Sequence, residues 1–231
     1  AKYGFLELSL KNFDKKIKAI KKQKDVYGFN ITIPFKQKII KHSELLDSHS
    51  KKIKAVNCLT LKPINKGSNT DWEGYFNSLP KNKNLKKDNI ILIGYGGAAL
   101  AIHYLLKKKG CKKINIFNKT KRKIKYEKDT KYTIALNKIK KYLPSATLII
   151  NTTPVNPLNK NEINLIQKKA IISDIVYSPK QTNFLKKFPN NKKIYGISML
   201  IEQAMISFEL WFGFKPKVDE KLTKILDKKT K

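Results

Sequence analysis

Acidic residues, arginine, cysteine and long apolar runs are all scarce in this chain, and each scarcity narrows what it can be. Against 50 basic side chains stand 17 acidic ones, a formal charge of +33. By itself that excess points to a polyanionic partner, nucleic acid or an anionic membrane. Yet Arg122 is the sole arginine, whereas base and phosphate recognition favours the bidentate guanidinium fork. The excess is lysine, spread along the chain with asparagine and isoleucine, as at residues 107–109 and 81–87. An AT-rich coding sequence and a solvated lysine surface account for it. No zinc finger, RNP aromatic pattern or GXXG clamp accompanies it, so no specific nucleic-acid groove is expected.

The two cysteines, Cys58 and Cys111, cannot build a disulfide framework, and neither lies in a CxxC or a Cys/His cluster of metal-ligand spacing. Reduced thiols in a cytoplasm, and no metal, are the expectation. His42, His49 and His103 are scattered among lysines or on a helix and suit surface or packing roles. The apolar stretch at residues 90–93 runs into a glycine turn, and it, like every other apolar run, is far short of the roughly 20 residues a membrane span needs. What remains is a chain of 231 residues, 41% hydrophobic and 29% charged. Its apolar runs are spread along its length, enough for one large globular domain or two of roughly 100 residues each.

Periodicity divides the chain. Residues 3–8 alternate like a strand, and Phe13, Ile17 and Ile20 then recur at helical spacing behind Asn12. Residues 27–33 read as a strand stopped by Pro34, residues 37–46 as a helix and residues 56–61 as another strand. Pro63, Asn65 and Gly67 supply turn chemistry before a helix at 71–79. The polar stretch 80–88 has no apolar period and is the candidate linker. Beyond it, strands at 89–93, 113–117, 146–150, 170–175 and around Ile194 alternate with helical stretches, the pattern of a doubly wound parallel α/β sheet. Helices at 199–212 and 218–226 close the chain and are expected to pack back on the first unit.

The strand at 89–93 opens directly into Gly94, Tyr95, Gly96, Gly97, Ala98 and Ala99, followed at once by an apolar helix. Strand, glycine turn, helix and second strand in that order form the dinucleotide fingerprint, because bare backbone can approach a pyrophosphate seated on the helix N-terminus. At the end of the second strand an NAD-binding domain carries an acid for the ribose hydroxyls. Here that position is Asn118, followed by Lys119, Thr120, Arg122 and Lys123. The missing acid and the neighbouring positive charge favour NADP over NAD.

Together, GFNITIPFK (28–36), AVNCL (55–59), NTDWEG (69–74), GYGGAA (94–99), NKT (118–120), NTTP (151–154), DIVYSP (174–179) and GISMLIEQAMISFELWFG (196–213) resemble the shikimate dehydrogenase family in order and spacing. The resemblance implies a substrate-binding domain over residues 1–79, a Rossmann NADP-binding domain over 88–200, and C-terminal helices at 201–231 returning to the first. It implies NADPH-dependent reduction of 3-dehydroshikimate to shikimate in aromatic amino-acid biosynthesis, by a cytoplasmic monomer or homodimer. Lys36 and Asp71 then become the catalytic pair. Hydride delivery to a ketone builds an alkoxide that needs a proton donor, and a lysine beside a carboxylate can hold and relay that proton. Thr32, Asn57, Tyr177 and Gln203 fall on substrate-binding positions. Asn151, Thr152 and Thr153 end a strand beside the cofactor, and Gly196 lets backbone approach the nicotinamide.

The chain also departs from the family pattern. The family's opening strand and Ser-x-Ser-Pro turn, which grip the substrate carboxylate, have no counterpart at Ala1. Either the sequence is a fragment or a lysine holds the carboxylate. Val155, Asn156, Pro157 and Leu158 follow NTTP in place of the usual Gly-Met. Two rival readings follow: an NAD-using quinate/shikimate dehydrogenase, and an inactive relative that binds polyanions.

Overall fold

The computed structural model describes residues 2–81, 83–125 and 131–229. Helix α1 (Phe13–Lys21) buries Phe13 and Ile17, spaced to share one face, with Asp14 in its first turn and Lys18 and Lys21 in its last, a placement that complements the helix dipole. Strand β1 (Gly28–Asn30) follows, then β2 (Leu45–Leu46) and α2 (Ser48–Ile53). Asp47 caps α2 by accepting from the Ser50 N–H, and Lys54, at φ 57°, ends it. Strands β3 (Cys58–Thr60) and β4 (Lys66–Ser68) lead into α3 (Asp71–Ser78). The four strands form one sheet in the order β1-β3-β4-β2, with β2 and β4 parallel and the other pairs antiparallel.

The second sheet is entirely parallel. Its strands are β5 (Asn89–Ile93), then, after α4 (Gly97–Lys108), β6 (Lys113–Asn118) and β7 (Ile134–Ala135), followed by β8 (Leu148–Asn151). After the single turn α5 (Lys160–Ile163) come β9 (Ile171–Asp174) and β10 (Lys193–Tyr195). The order β10-β9-β8-β5-β6-β7 places the switch point at β5, flanked by β6 and β8. Alternation along β5 sends Ile90 and Leu92 into a core shared with α4, and Ile91 and Ile93 into a second core with Phe117, Ile149 and Ile172. Both faces are covered, as a parallel sheet requires.

Helix α6 (Gly196–Phe212) crosses back to lie on α3 and β3, and α7 (Glu220–Lys229) follows. The Trp211 indole donates to Leu59 O over 3.1 Å. The first core runs without a break from Ile53, Ala55 and Tyr75 through α4 to Leu148 and Ile194, so α2 and α3 share one apolar layer with the second sheet.

Several expectations change. Residues 3–8 form no strand: they have no ladder partner among the described residues, and Tyr3 and Phe5 are exposed. The predicted helix at 37–46 is a 3₁₀ turn, Lys38–His42, followed by β2, because Ile39 and His42 repeat at three residues rather than 3.6. The candidate linker 80–88 is anchored: Leu85 enters the core and Asp88 is buried with Lys83 at 2.7 Å. Among the described residues one long helix, α4, serves the crossovers, the rest being short or 3₁₀. Among the described residues no helix is long and apolar enough to cross a membrane. Of the two closing helices, α6 packs back, while α7 has no extensive packing partner among the described residues.

Candidate active site

Lys36 stands on a turn that its neighbours hold. Phe35 and Ile39 are buried, Phe35 stacks on Phe13 at 4.4 Å, and the Lys36 carbonyl accepts from Val56 N at 2.7 Å. The side chain leaves toward the second sheet. A Cβ on Gly97 would lie 3.1 Å from Lys36 Cβ and Cδ, so the lysine stem rests on the first turn of α4. Its Nζ then lies 2.6 Å from Asp71 Oδ2, with 13% and 5% of the two side chains accessible. Asp71 opens α3, where a carboxylate is favoured by the free N–H groups of the first turn.

A ring of amides and hydroxyls fixes that carboxylate. Asn57, 2% exposed, accepts from Thr70 N at 2.7 Å. Its Nδ2 lies 2.9 Å from both Asp71 Oδ1 and Thr70 Oγ1, and 3.2 Å from Gln203 Oε1. Its two hydrogens face three acceptors, so Gln203 is the acceptor most readily released. Gln203 Nε2 meanwhile donates to Leu200 O at 2.9 Å. Behind them the Ser207 hydroxyl touches Thr70 Oγ1 at 3.2 Å and accepts from Asn30 Nδ2 at 3.0 Å. α3 and α6 approach closely enough to align this ring because Gly74 has no side chain: a Cβ there would lie 2.7 Å from Gln203 Cβ. The cluster is a cation held against an oriented carboxylate at the junction of the two sheets, equipped to deliver a proton.

Across the junction, backbone dominates. Gly94 has φ 98° and gives its N–H to Phe117 O at 2.8 Å, while a Cβ on it would sit 2.4 Å from Thr152 Oγ1. Gly96 heads α4 without a side-chain cap, and a Cβ there would meet nothing within 4 Å. That open cradle before uncapped N–H groups, at the sheet's switch point, fits the pyrophosphate of a dinucleotide. Ala98 lies in the first turn of α4. Asn118 closes the next turn, its Nδ2 2.8 Å from Thr120 O. Lys119, Thr120, Arg122 and Lys123 are all exposed, with Arg122 N bonded to Thr133 Oγ1 at 3.0 Å.

Other expected residues are placed differently from one another. Asn151 is 1% exposed and its amide serves its own loop, with Thr153 O at 3.1 Å and Val155 O at 3.2 Å. Thr153 donates back to Asn151 Oδ1, and Thr152 donates to Ile93 O at 2.7 Å. These side chains shape the loop. Gly196 is required by the chain itself: a Cβ would lie 2.4 Å from Ile175 O. Thr32 is exposed near Lys36, its carbonyl accepting from Phe35 N, and Tyr177 is 46% exposed on the loop after β9. Residues outside the expected set also join. Tyr95 accepts from Lys125 N at 2.8 Å and holds the post-β6 segment against the glycine turn. Asp174 ties Asn151 to Thr182, whose hydroxyl donates at 2.6 Å; burial raises the Asp174 carboxyl, opposed chiefly by that bond. An acid closing an isoleucine-rich strand was the available sign of it.

Three family models match the chain: the shikimate dehydrogenase substrate binding domain over residues 1–59, shikimate/quinate 5-dehydrogenase over 78–180 and the shikimate 5'-dehydrogenase C-terminal domain over 196–220. A shikimate dehydrogenase (NADP(+)) of Methanobrevibacter smithii is 34% identical over 226 residues, 89% of this chain and 80% of that one. One from Bacillus subtilis is 32% identical over 219 residues, 88% and 78% of the respective chains. The crystal structure of shikimate dehydrogenase 1 from Peptoclostridium difficile superposes with a TM-score of 0.83 at 26% identity, covering 97% of this chain and 84% of that one. A shikimate dehydrogenase solved in complex with NADP+ gives 0.81 at 25%, covering 98% and 84%.

Proposed function

From the premise that this chain belongs to the shikimate dehydrogenase family and is an NADP-dependent oxidoreductase acting on a small molecule, we propose how its residues reduce 3-dehydroshikimate to shikimate. Bound NADPH supplies the hydride. Lys36 gives its proton to the ketone oxygen as that oxygen gains charge, and Asp71 holds the ammonium in place through the 2.6 Å contact. Enclosure strengthens this, because a charge pair screened from water interacts more strongly than one at the surface. Asn57, bonded to the other Asp71 oxygen, keeps the carboxylate from rotating. Thr32, Tyr177 and Gln203 bind the ring hydroxyls or carboxylate, Gln203 Oε1 being released from the crowded Asn57 amide to do so.

Residues 1–79 and 201–231 act as the substrate-facing unit and 88–200 as the cofactor unit, in a cytoplasmic monomer or homodimer. Gly94, Gly96, Gly97 and Ala98 present backbone to the pyrophosphate. Lys119, Thr120, Arg122 and Lys123 meet the 2′-phosphate, and the 151–153 loop and Gly196 bound the nicotinamide side. The observation that carries the reading is the enclosed Lys36–Asp71 pair, with the lysine stem against Gly97, where the two sheets meet. Steady-state NADPH oxidation with 3-dehydroshikimate tests it: the wild type should turn over, and should prefer NADPH to NADH. No oxidation, or faster use of NADH, would reject the reading.

A further inference from the structure

Ser173 departs from the pattern that builds the rest of its strand. On β9, Ile171 and the following Ile175 face the core shared with α3 and α4, while Ile172 faces the other core. Ser173 is 1% exposed and lies beside Ile150 on β8 and Ile194 on β10, both members of the α3–α4 core. A hydroxyl in that layer needs a partner, and Tyr75 provides it, its Oη donating to Ser173 Oγ at 3.1 Å. Tyr75 is itself 1% exposed, and burial raises its phenol, which keeps the donor protonated.

The two residues sit at informative places. Tyr75 lies one helical turn beyond Asp71 on α3, on the same face. Ser173 immediately precedes Asp174, which grips Asn151 and Thr182 and so the loops on either side of the strand ends. The remaining contacts of α3 with this core are the edge-on approach of Trp72 to Tyr104, at 6.0 Å, and the packing of Phe76 and Leu79, neither of which ties α3 to β9. A hydrogen bond has direction, so it fixes where α3 stands along β9.

We propose that Tyr75, acting through Ser173, is a positioning residue that sets the Lys36–Asp71 pair at its working separation from the loops flanking the cofactor. This rests on the proposed function, since it assigns that pair a reaction to be positioned for. Small displacements of reacting groups lower turnover far more than they lower binding.

The test uses the full chain as wild type, Tyr75→Phe, Ser173→Ala and the double variant. Each single variant should lower kcat about three- to tenfold, with both KM values within about twofold. The primary deuterium isotope effect on kcat/KM, measured with NADPH deuterated at the transferred hydrogen, should rise as hydride transfer becomes slower than the steps around it. The double variant should be no slower than the slower single one, and in the free protein the changes in unfolding midpoint should be non-additive. Unchanged kcat and isotope effect, whatever happens to the midpoint, would overturn the proposal, as would losses that multiply or midpoint shifts that simply add. A wild type that does not oxidise NADPH with 3-dehydroshikimate would reject the proposed function and this inference together. An active wild type with unchanged variants would reject the positioning role alone.

Discussion

Around Lys36 the work is done by side chains already bonded to one another, whereas along the glycine turn after β5 it is done by backbone and by space. Asn57, Thr70, Asp71 and Gln203 lie within a few ångströms in a closed ring. The turn at 94–97 offers φ 98° at one position and an open cradle at another. The first region is therefore specified by residue identity, since changing one group strands its buried partners. The second is specified by what residues lack, and its sensitivity is to added atoms.

The sharpest way to break that contrast is Lys36→Ala. Removing the proposed proton donor should cut turnover by about 10²–10⁴-fold while leaving NADPH affinity nearly unchanged. Asp71→Asn should also lower turnover severely, and the double variant should be little worse than the poorer single one, because the two act as a unit. Steady-state rates and NADPH fluorescence titration give both quantities. A fall in NADPH affinity matching the fall in kcat would erase the distinction between the regions.

On the other side, Gly94→Ala and Gly96→Ala should separate. At Gly94 an added methyl meets a positive φ and Thr152 Oγ1, which cannot turn away without losing Ile93 O, so stability should fall by roughly 1–3 kcal/mol. At Gly96 the φ of −90° is ordinary and the space is empty, so stability should hold within about 0.5 kcal/mol. There the methyl would occupy the room proposed for the pyrophosphate, and NADPH binding should weaken about tenfold or more. Thermal unfolding of the free proteins and NADPH titration score both arms, and a Gly96→Ala variant that binds NADPH normally would show that the cradle is not the pyrophosphate site.

Asn118→Asp should have a smaller effect. A carboxylate at the end of β6 would repel a 2′-phosphate and accept from ribose hydroxyls, so kcat/KM with NADPH should fall about threefold to tenfold and that with NADH should rise. Because lysines and Arg122 remain beside it, the repulsion is partly offset. Equal changes with both cofactors would mean that position 118 does not read the phosphate.

The second sheet was legible in the sequence because its strands at β5, β6, β8 and β9 are four to six residues long and rich in isoleucine, and the expected bounds of β5 are the observed ones. The first sheet was less so. Strands of two or three residues such as β2 and β4 carry no measurable period, and the six residues of α2 are too few to show one although Asp47 stands as its cap. The glycine turn could be read from local order alone. Lys36 could not: one lysine among so many is invisible until IPFK and NTD are taken together. Tyr75 and Ser173 were harder still, since each fits its own element and the bond between them is long-range.

The two cysteines give the mildest test, one in each region. Cys58 lies in β3 next to Asn57, with 0% exposure, and burial pushes its thiol up to about 12. Cys111 lies between α4 and β6 of the second sheet, with 4% exposure, and burial pushes it up to about 11. A thiol whose folded pKa exceeds its unfolded value stays protonated in the native state. Its contribution to stability is therefore present at neutral pH and lost as pH rises above the ordinary thiol range. Since the thiolate is the nucleophile, neither cysteine should react with iodoacetamide in the native protein at about pH 8, while both should react in denaturant. Raising the pH toward 10 should modify Cys111 first, because its pKa is lower and its side chain less deeply covered. Mass spectrometry of the alkylated protein gives the order directly. Cys58 reacting first would mean that the ring around Asn57 opens more readily than the turn between α4 and β6, which is incompatible with a Lys36 region held rigid by its own side chains.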